Sequence, residues 1–167
     1  MILRVVVGLL LIGHGTQKLF GWFGGTGIEK WVAGIKTRGF VPPALWGWAG
    51  ALGETVGGAL LALGFLTPLG SLGIAASMLV AIVTAHWSKG IWNSKGGFEF
   101  PLTNMTAVLA LAITGPGVYS LDHLFGIALP AWFGWSAAIV LIGGGVVGLL
   151  TRKPLAAATQ QPATTAR

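Results

Sequence analysis

The 167 residues contain no cysteine, a single tyrosine, and only 8% charged side chains, four of them acidic. Without cysteine there are no disulfides, thiol relays, thiolate metal sites or cysteine-held iron–sulfur clusters within this chain. The shortage of charge excludes an ordinary soluble domain. Such a domain carries about 25% charged residues and must cover its core with polar surface. No HExxH or comparable ligand spacing occurs, so no metal site is expected. No flavin, haem or cluster motif is visible, and no internal repeat stands out. The net charge of +6 comes from ten basic residues spread over short loops and a tail. With no basic helix face or groove, nucleic acid is not an expected partner.

What the chain has instead is 54% hydrophobic residues, 28 glycines and eight tryptophans. The bilayer removes the need for a polar surface, glycine suits close helix packing in lipid, and tryptophan suits the membrane–water interfaces. The fold class expected is therefore all-α, a polytopic membrane helical bundle. Five apolar segments approach the ~20 residues a spanning helix needs: about Ile2 to Gly21, Ala44 to Leu66, Leu69 to Trp87, Phe100 to Thr114 and Ile127 to Leu150. The first reads as a retained helix and not as a cleavable signal, because His14 and Lys18 interrupt its end and no A-x-A-like site follows. Pro42-Pro43 suit the start of the second. Between them, Ile28, Trp31, Val32 and Ile35 recur at helical spacing opposite Lys30, Lys36 and Arg38. That pattern predicts a short amphipathic helix over 28–40 on the membrane surface. Residues 1–150 then form the bundle, and 151–167 a polar, disordered cytoplasmic tail.

If all five segments span, Lys30, Lys36, Arg38, Lys89, Lys95, Arg152, Lys153 and Arg167 share one side of the membrane. Only Arg4 and the amino terminus lie on the other. The positive-inside rule then puts the N-terminus outside and the C-terminus in the cytoplasm.

Ionisable groups inside a bilayer are costly and usually face the bundle interior. His14 and Lys18 stand four apart on one helix face, and Glu54 sits near the middle of segment two. Up-down threading brings these three, with His86 and Glu99, toward the same face. Side-chain lean toward helix N-termini makes Lys18 and Glu54 converge. Gly47, Gly50, Ala51, Gly57 and Gly58 share the Glu54 side, so a neighbouring helix can approach. Lys18 or His14 is the natural partner of Glu54. A buried pair of this kind also serves simply to fix helix register. Taken singly, His86 and Glu99 read as solvated loop-edge residues and Lys18 as a snorkelling one. Trp22, Trp46, Trp48, Trp87 and Trp92 read as interface-belt residues. Gly115-Pro116-Gly117 with Tyr119, Ser120 and Asp122 reads as a structured turn in which Asp122 caps a short helix.

Several stretches in series resemble one family. His14 to Gly21 (HGTQKLFG) is similar to the HGxxKLFG signature of the DoxX family. The GGxG turn at Gly24 to Gly27, the ExxGG at Glu54 to Gly58, Leu63-Gly64 with Thr67, Met78 to Ala81 with His86, the GGFE at Gly96 to Glu99 and the GPGVYSLD at Gly115 to Asp122 continue it. The resemblance spans about residues 1–125. It implies a four-helix membrane bundle in a bacterial plasma membrane, to which the segment at 127–150 is an addition. It also implies redox company, since members include a membrane subunit of a thiosulfate:quinone oxidoreductase and proteins linked to oxidative, quinone or catechol stress. Three functions follow as expectations: a quinone-binding redox subunit that bears no bound cofactor of its own, with His14, Lys18, Glu54, His86 and Glu99 as its polar pocket; a non-enzymatic anchor for cytoplasmic partners; or a small-solute or proton transporter. The partners expected are the lipid bilayer, a redox partner protein and, in a homo-oligomer, further copies of the chain.

Overall fold

The structure, a computed structural model, describes residues 1–153. It is a helical bundle, and no strand occurs among the described residues. The expected tail lies, from residue 154 onward, outside the described residues. The helices are α1 (Ile2–Phe20), α2 (Gly27–Thr37), α3 (Pro43–Leu63), α4 (Thr67–Ala81), α5 (Glu99–Thr114), the single turn α6 (Leu121–Leu124) and α7 (Ala131–Thr151). A π turn at Ile82–His86 and a 3-10 turn at Trp87–Lys89 extend α4.

The boundaries follow local chemistry. α1 stops at Gly21, whose φ of 74° is a left-handed conformation that glycine adopts without penalty. α3 opens with Pro43 in its first turn, where the missing N–H would have had no partner. α7 begins at Ala131 behind Pro130, later than the segment expected from Ile127, because the Ile127 N–H is drawn back to the Asp122 carbonyl at 2.7 Å.

α1, α3, α4 and α5 pack in a closed ring, each on the next, and α7 lies against α4 outside that ring. Where α1 crosses α3 there is no room for side chains. A Cβ on Gly8 would stand 2.6 Å from the Gly58 carbonyl, and one on Gly58 would stand 2.7 Å from that of Gly8. Gly57 and Gly70 meet in the same way between α3 and α4. Such backbone contact replaces the hydrophobic drive that lipid cannot supply. Val7, Leu11, Leu61, Ile74, Ala75, Met78 and Val108 fill the space enclosed.

α1, the extended α4 (Thr67–Lys89) and α7 are long and apolar enough to cross a membrane. α3 has the length, at 21 residues, but Glu54 and its glycines and tryptophans lower its mean hydropathy. α5 has 16 residues, fewer than the ~20 of a full span. Outward faces carry exposed Leu3, Leu10, Val56, Ile113, Ile139 and Leu150, a surface that suits lipid and not water.

Two sequence expectations change at the end of the bundle near the N-terminus. Arg4 is not a loop charge in water but 3% exposed, donating to the carbonyls of Ala62, Pro116 and Tyr119. Asp122 does not cap its own turn. That role falls to Ser120, which accepts from the His123 N–H at 3.1 Å. Asp122 instead accepts from the backbone N–H groups of Leu66 and Thr67 at 2.8 and 3.0 Å and from the Thr67 hydroxyl at 2.9 Å. It thereby caps α4 and holds Leu66 at a φ of 46°, a conformation unfavourable for leucine. The GPGVYSLD stretch is thus a staple joining α1, the α3–α4 turn and the loop after α5.

Candidate functional site

At the other end the bundle is hollow. A cavity of about 650 Å³ lies among α1, α3, α4 and α7, with α2 and the turns after α2 and α4 around it. Its origin is in the sequence: the facing walls of α3 and α4 carry Ala49, Gly50, Gly53, Gly73 and Ala76, while Trp31, Phe40, Trp46 and Phe100 hold the elements apart. A Cβ on Gly73 would meet nothing within 4 Å. Glycine near Arg4 lets helices touch, whereas Gly73 here leaves space.

The polar groups come from several elements. Lys18 on α1 forms an ion pair with Glu54 on α3. Glu54 is 4% exposed at its side chain and Lys18 20%, so the carboxylate is enclosed and the ammonium reaches toward the opening. Gly15 sets the spacing, since it brings the α1 backbone against Thr55. His14, one turn before Lys18, packs its ring on Phe100 with centroids 4.9 Å apart. His86 lies in the π turn, a helical widening often found at functional sites. Its Nδ1 lies 2.7 Å from the Gly96 carbonyl. A carbonyl can only accept, so Nδ1 donates to it, and Nε2 takes no part in that bond.

Four of the five side chains singled out in the sequence, His14, Lys18, Glu54 and His86, therefore line one cavity. Glu99 does not. It is exposed, and its carboxylate accepts from the Asn93 N–H at 2.9 Å while its own N–H donates to the Ile91 carbonyl at 2.8 Å. The GGFE stretch is a clamp for the loop between α4 and α5, where Trp87 stacks on Phe98 at 5.4 Å and 15°. Among the described residues no three His, Asp or Glu side chains come together as a metal site.

Three cavity residues were not legible as such in the sequence. Arg38 was expected on the polar face of the amphipathic helix. The helix ends at Thr37, however, and Arg38 turns back over the Trp31 ring, its Cζ 5.2 Å from the centroid. Burial lowers the pKa of its guanidinium from the ordinary value. Trp31 belongs to the apolar face of α2, but that face meets protein as well as membrane: its indole N–H donates to the Gly47 carbonyl at 2.9 Å, and Val32 packs on Gly47. Trp46 lies inside, against Phe40 at 5.4 Å, while Trp22, Trp48, Trp87 and Trp92 are exposed at the surface. Spacing on one helix does not reveal which tryptophan a neighbouring helix will cover.

The DoxX family model matches residues 1–87, from α1 to the end of the π turn and the first residue beyond it. The chain is also similar to the inner membrane protein YqjF of Escherichia coli (strain K12), with 30% identity over 124 residues, 74% of this chain and 89% of that protein. No solved structure matches it at a significant level. The family match contains His14, Lys18, Trp31, Arg38, Glu54 and His86. α5, with Glu99, and α7 lie beyond it.

Proposed function

Taking as premise that this chain belongs to the DoxX family of membrane proteins, we propose that its cavity binds a quinone and that the protein serves as a membrane subunit of a quinone-linked redox system. The observation that carries this reading is the cavity itself: about 650 Å³ within an apolar bundle, walled by aromatic rings and holding a few convergent polar side chains. Sites for small organic ligands have this make-up and fall in the range of about 300–1,000 Å³.

The residues fit such a ligand. A quinone ring needs an apolar slot, which Trp31, Trp46 and Phe100 border, and donors for its carbonyl oxygens. Lys18 has N–H donors beyond the one that meets Glu54, and the Arg38 guanidinium offers more. Bound quinone supplies one chemistry: it takes up electrons and protons in equal number to become the quinol. The chain's part is to place the ring, exclude water and hold protons. Glu54 and the Nε2 of His86 are the acceptors available for them, and His14 stands beside Lys18 on the same helix face. The sequence carries no flavin, haem or cluster motif, and this reading takes the electrons from a reduced partner protein. The positive-inside pattern turns the cavity end toward the cytoplasm.

The same end presents exposed Lys30, Lys36, Lys89 and Lys95. They favour a second, compatible reading, in which an acidic cytoplasmic partner docks there and the chain is its anchor. Naphthoquinone titrated into the protein in zwitterionic nanodiscs, read by quenching of tryptophan fluorescence, separates the two. Saturable binding that Glu54→Gln weakens several-fold supports the quinone site. Quenching that merely follows partition into lipid, equal in both proteins, leaves the anchor alone.

A further inference from the structure

We propose that the cavity selects a ring bearing an anionic oxygen, a carboxylate or an ionised hydroxyl, and that Arg38 is the residue that recognises it. The inference deepens the quinone reading and rests on it for the ring. The anion is argued from charge.

The cavity lining holds two basic side chains of lysine and arginine, Lys18 and Arg38, but a single carboxylate, Glu54. Glu54 is already committed to Lys18. The remaining acids of the bundle's walls are elsewhere: Glu29 is exposed on α2, Glu99 is exposed on the α4–α5 loop, and Asp122 caps α4 at the opposite end. Among the described residues Arg38 has no ion-pair partner, and its guanidinium makes no hydrogen bond. Yet it is half-buried, which penalises an uncompensated charge. A guanidinium is a planar fork of donors shaped for a carboxylate or similar oxyanion.

The platform beneath it is fixed. The indole N–H of Trp31 is held by the Gly47 carbonyl at 2.9 Å, so one ring faces both cations, Lys18 Nζ at 4.6 Å and Arg38 Cζ at 5.2 Å from its centroid. Like charges gathered on one ring repel, and Glu54 relieves only one of them. A ligand anion at Arg38 completes the balance, with its ring against the aromatic walls beside it. A lipid headgroup could offer the same oxyanion. The enclosing rings favour a flat aromatic body over acyl chains.

The test uses the full chain in zwitterionic nanodiscs and three probes: naphthoquinone, its hydroxy derivative lawsone (ionised at neutral pH), and naphthoate, an anionic ring without quinone carbonyls. Lawsone should bind about tenfold or more tightly than naphthoquinone, as a charged hydrogen bond warrants. Arg38→Gln should erase that preference, weakening lawsone about tenfold more than it weakens naphthoquinone. Arg38→Lys should restore part of it, which guards against a merely misfolded variant. Equal binding of lawsone and naphthoquinone, or a preference that survives Arg38→Gln, overturns the inference while the quinone site stands. Arg38-dependent binding of naphthoate with no binding of naphthoquinone or lawsone upholds the anion subsite and removes the quinone. Displacement of lawsone by phosphatidylglycerol added to the discs assigns Arg38 to lipid and overturns the inference. If no probe binds, both readings fail.

Discussion

The two ends of the bundle use the same kinds of residue for opposite ends. Near the N-terminus, Arg4 and Asp122 are 3% and 4% exposed, and their hydrogen-bonding groups meet backbone carbonyls, backbone N–H groups and the Thr67 hydroxyl. Gly8, Gly58, Gly57 and Gly70 there bring helix backbones into contact. At the other end Lys18, Glu54, Arg38 and His86 surround open volume, and Gly73 faces space. A buried charge answered entirely by protein is architecture. A set of polar groups with unspent donors and acceptors around a cavity is the candidate site. Burial costs free energy at both ends, and it is the partners that differ in kind.

The sharpest way to break this contrast is to exchange the two classes of glycine. Gly8→Leu should abolish the folded bundle, because its Cβ alone meets the α3 backbone. Gly73→Leu should leave the melting temperature unchanged or higher yet weaken quinone binding tenfold or more by filling the cavity. Size-exclusion profiles, thermal melts and fluorescence quenching on the purified proteins read all three quantities. A Gly73→Leu protein that binds as the parent does would move the site elsewhere.

Asp122→Ala comes next. It strips the N–H groups of Leu66 and Thr67 of their acceptor and releases Leu66 from its constrained backbone. The expected loss is about 3 kcal/mol, seen as a large fall in the thermal midpoint in detergent. Ligand affinity should be retained by the fraction still folded. Glu54→Gln should show the reverse profile. Because Lys18 is the more exposed partner and its stem can reach toward the opening, the stability loss is smaller than for Asp122→Ala, while binding falls several-fold. Replacing both partners at once, Glu54→Leu with Lys18→Met, should recover stability, since a matched apolar replacement of an ion pair is tolerated, without recovering binding. The smallest effect belongs to the exposed lysines. Lys30→Ala with Lys36→Ala should change stability by less than about 0.5 kcal/mol and leave quinone binding intact, lowering only capture of an acidic partner.

Much of this division was legible in the sequence. Hydropathy placed five apolar helices, and up-down threading of His14, Lys18, Glu54 and His86 put them at one end, because depth along a helix is fixed by residue count. What depth cannot supply is rotation, and rotation decided the rest. Arg38 and Trp46 turn inward through contacts with Trp31 and Phe40 made between elements. Arg4 and Asp122 found partners more than 50 positions away in the chain. Glu99 sits at the depth expected of it, but faces the Asn93 backbone instead of the cavity. The hollow itself had no signature: Gly50 read as part of a stripe that lets a neighbouring helix approach, and Gly53 and Gly73 stood out in no way, until the bulky rings beside them were seen to hold the helices apart.

The most direct measurement is covalent labelling of the full-length protein in nanodiscs with an azido-quinone, followed by peptide mass spectrometry. The account predicts saturable label on cavity residues such as Trp31, Ser77 or Phe100, competed by unlabelled quinone and lost in Gly73→Leu. Label confined to the outward, lipid-facing residues of α1 and α7, or label that neither saturates nor depends on Gly73, would contradict it.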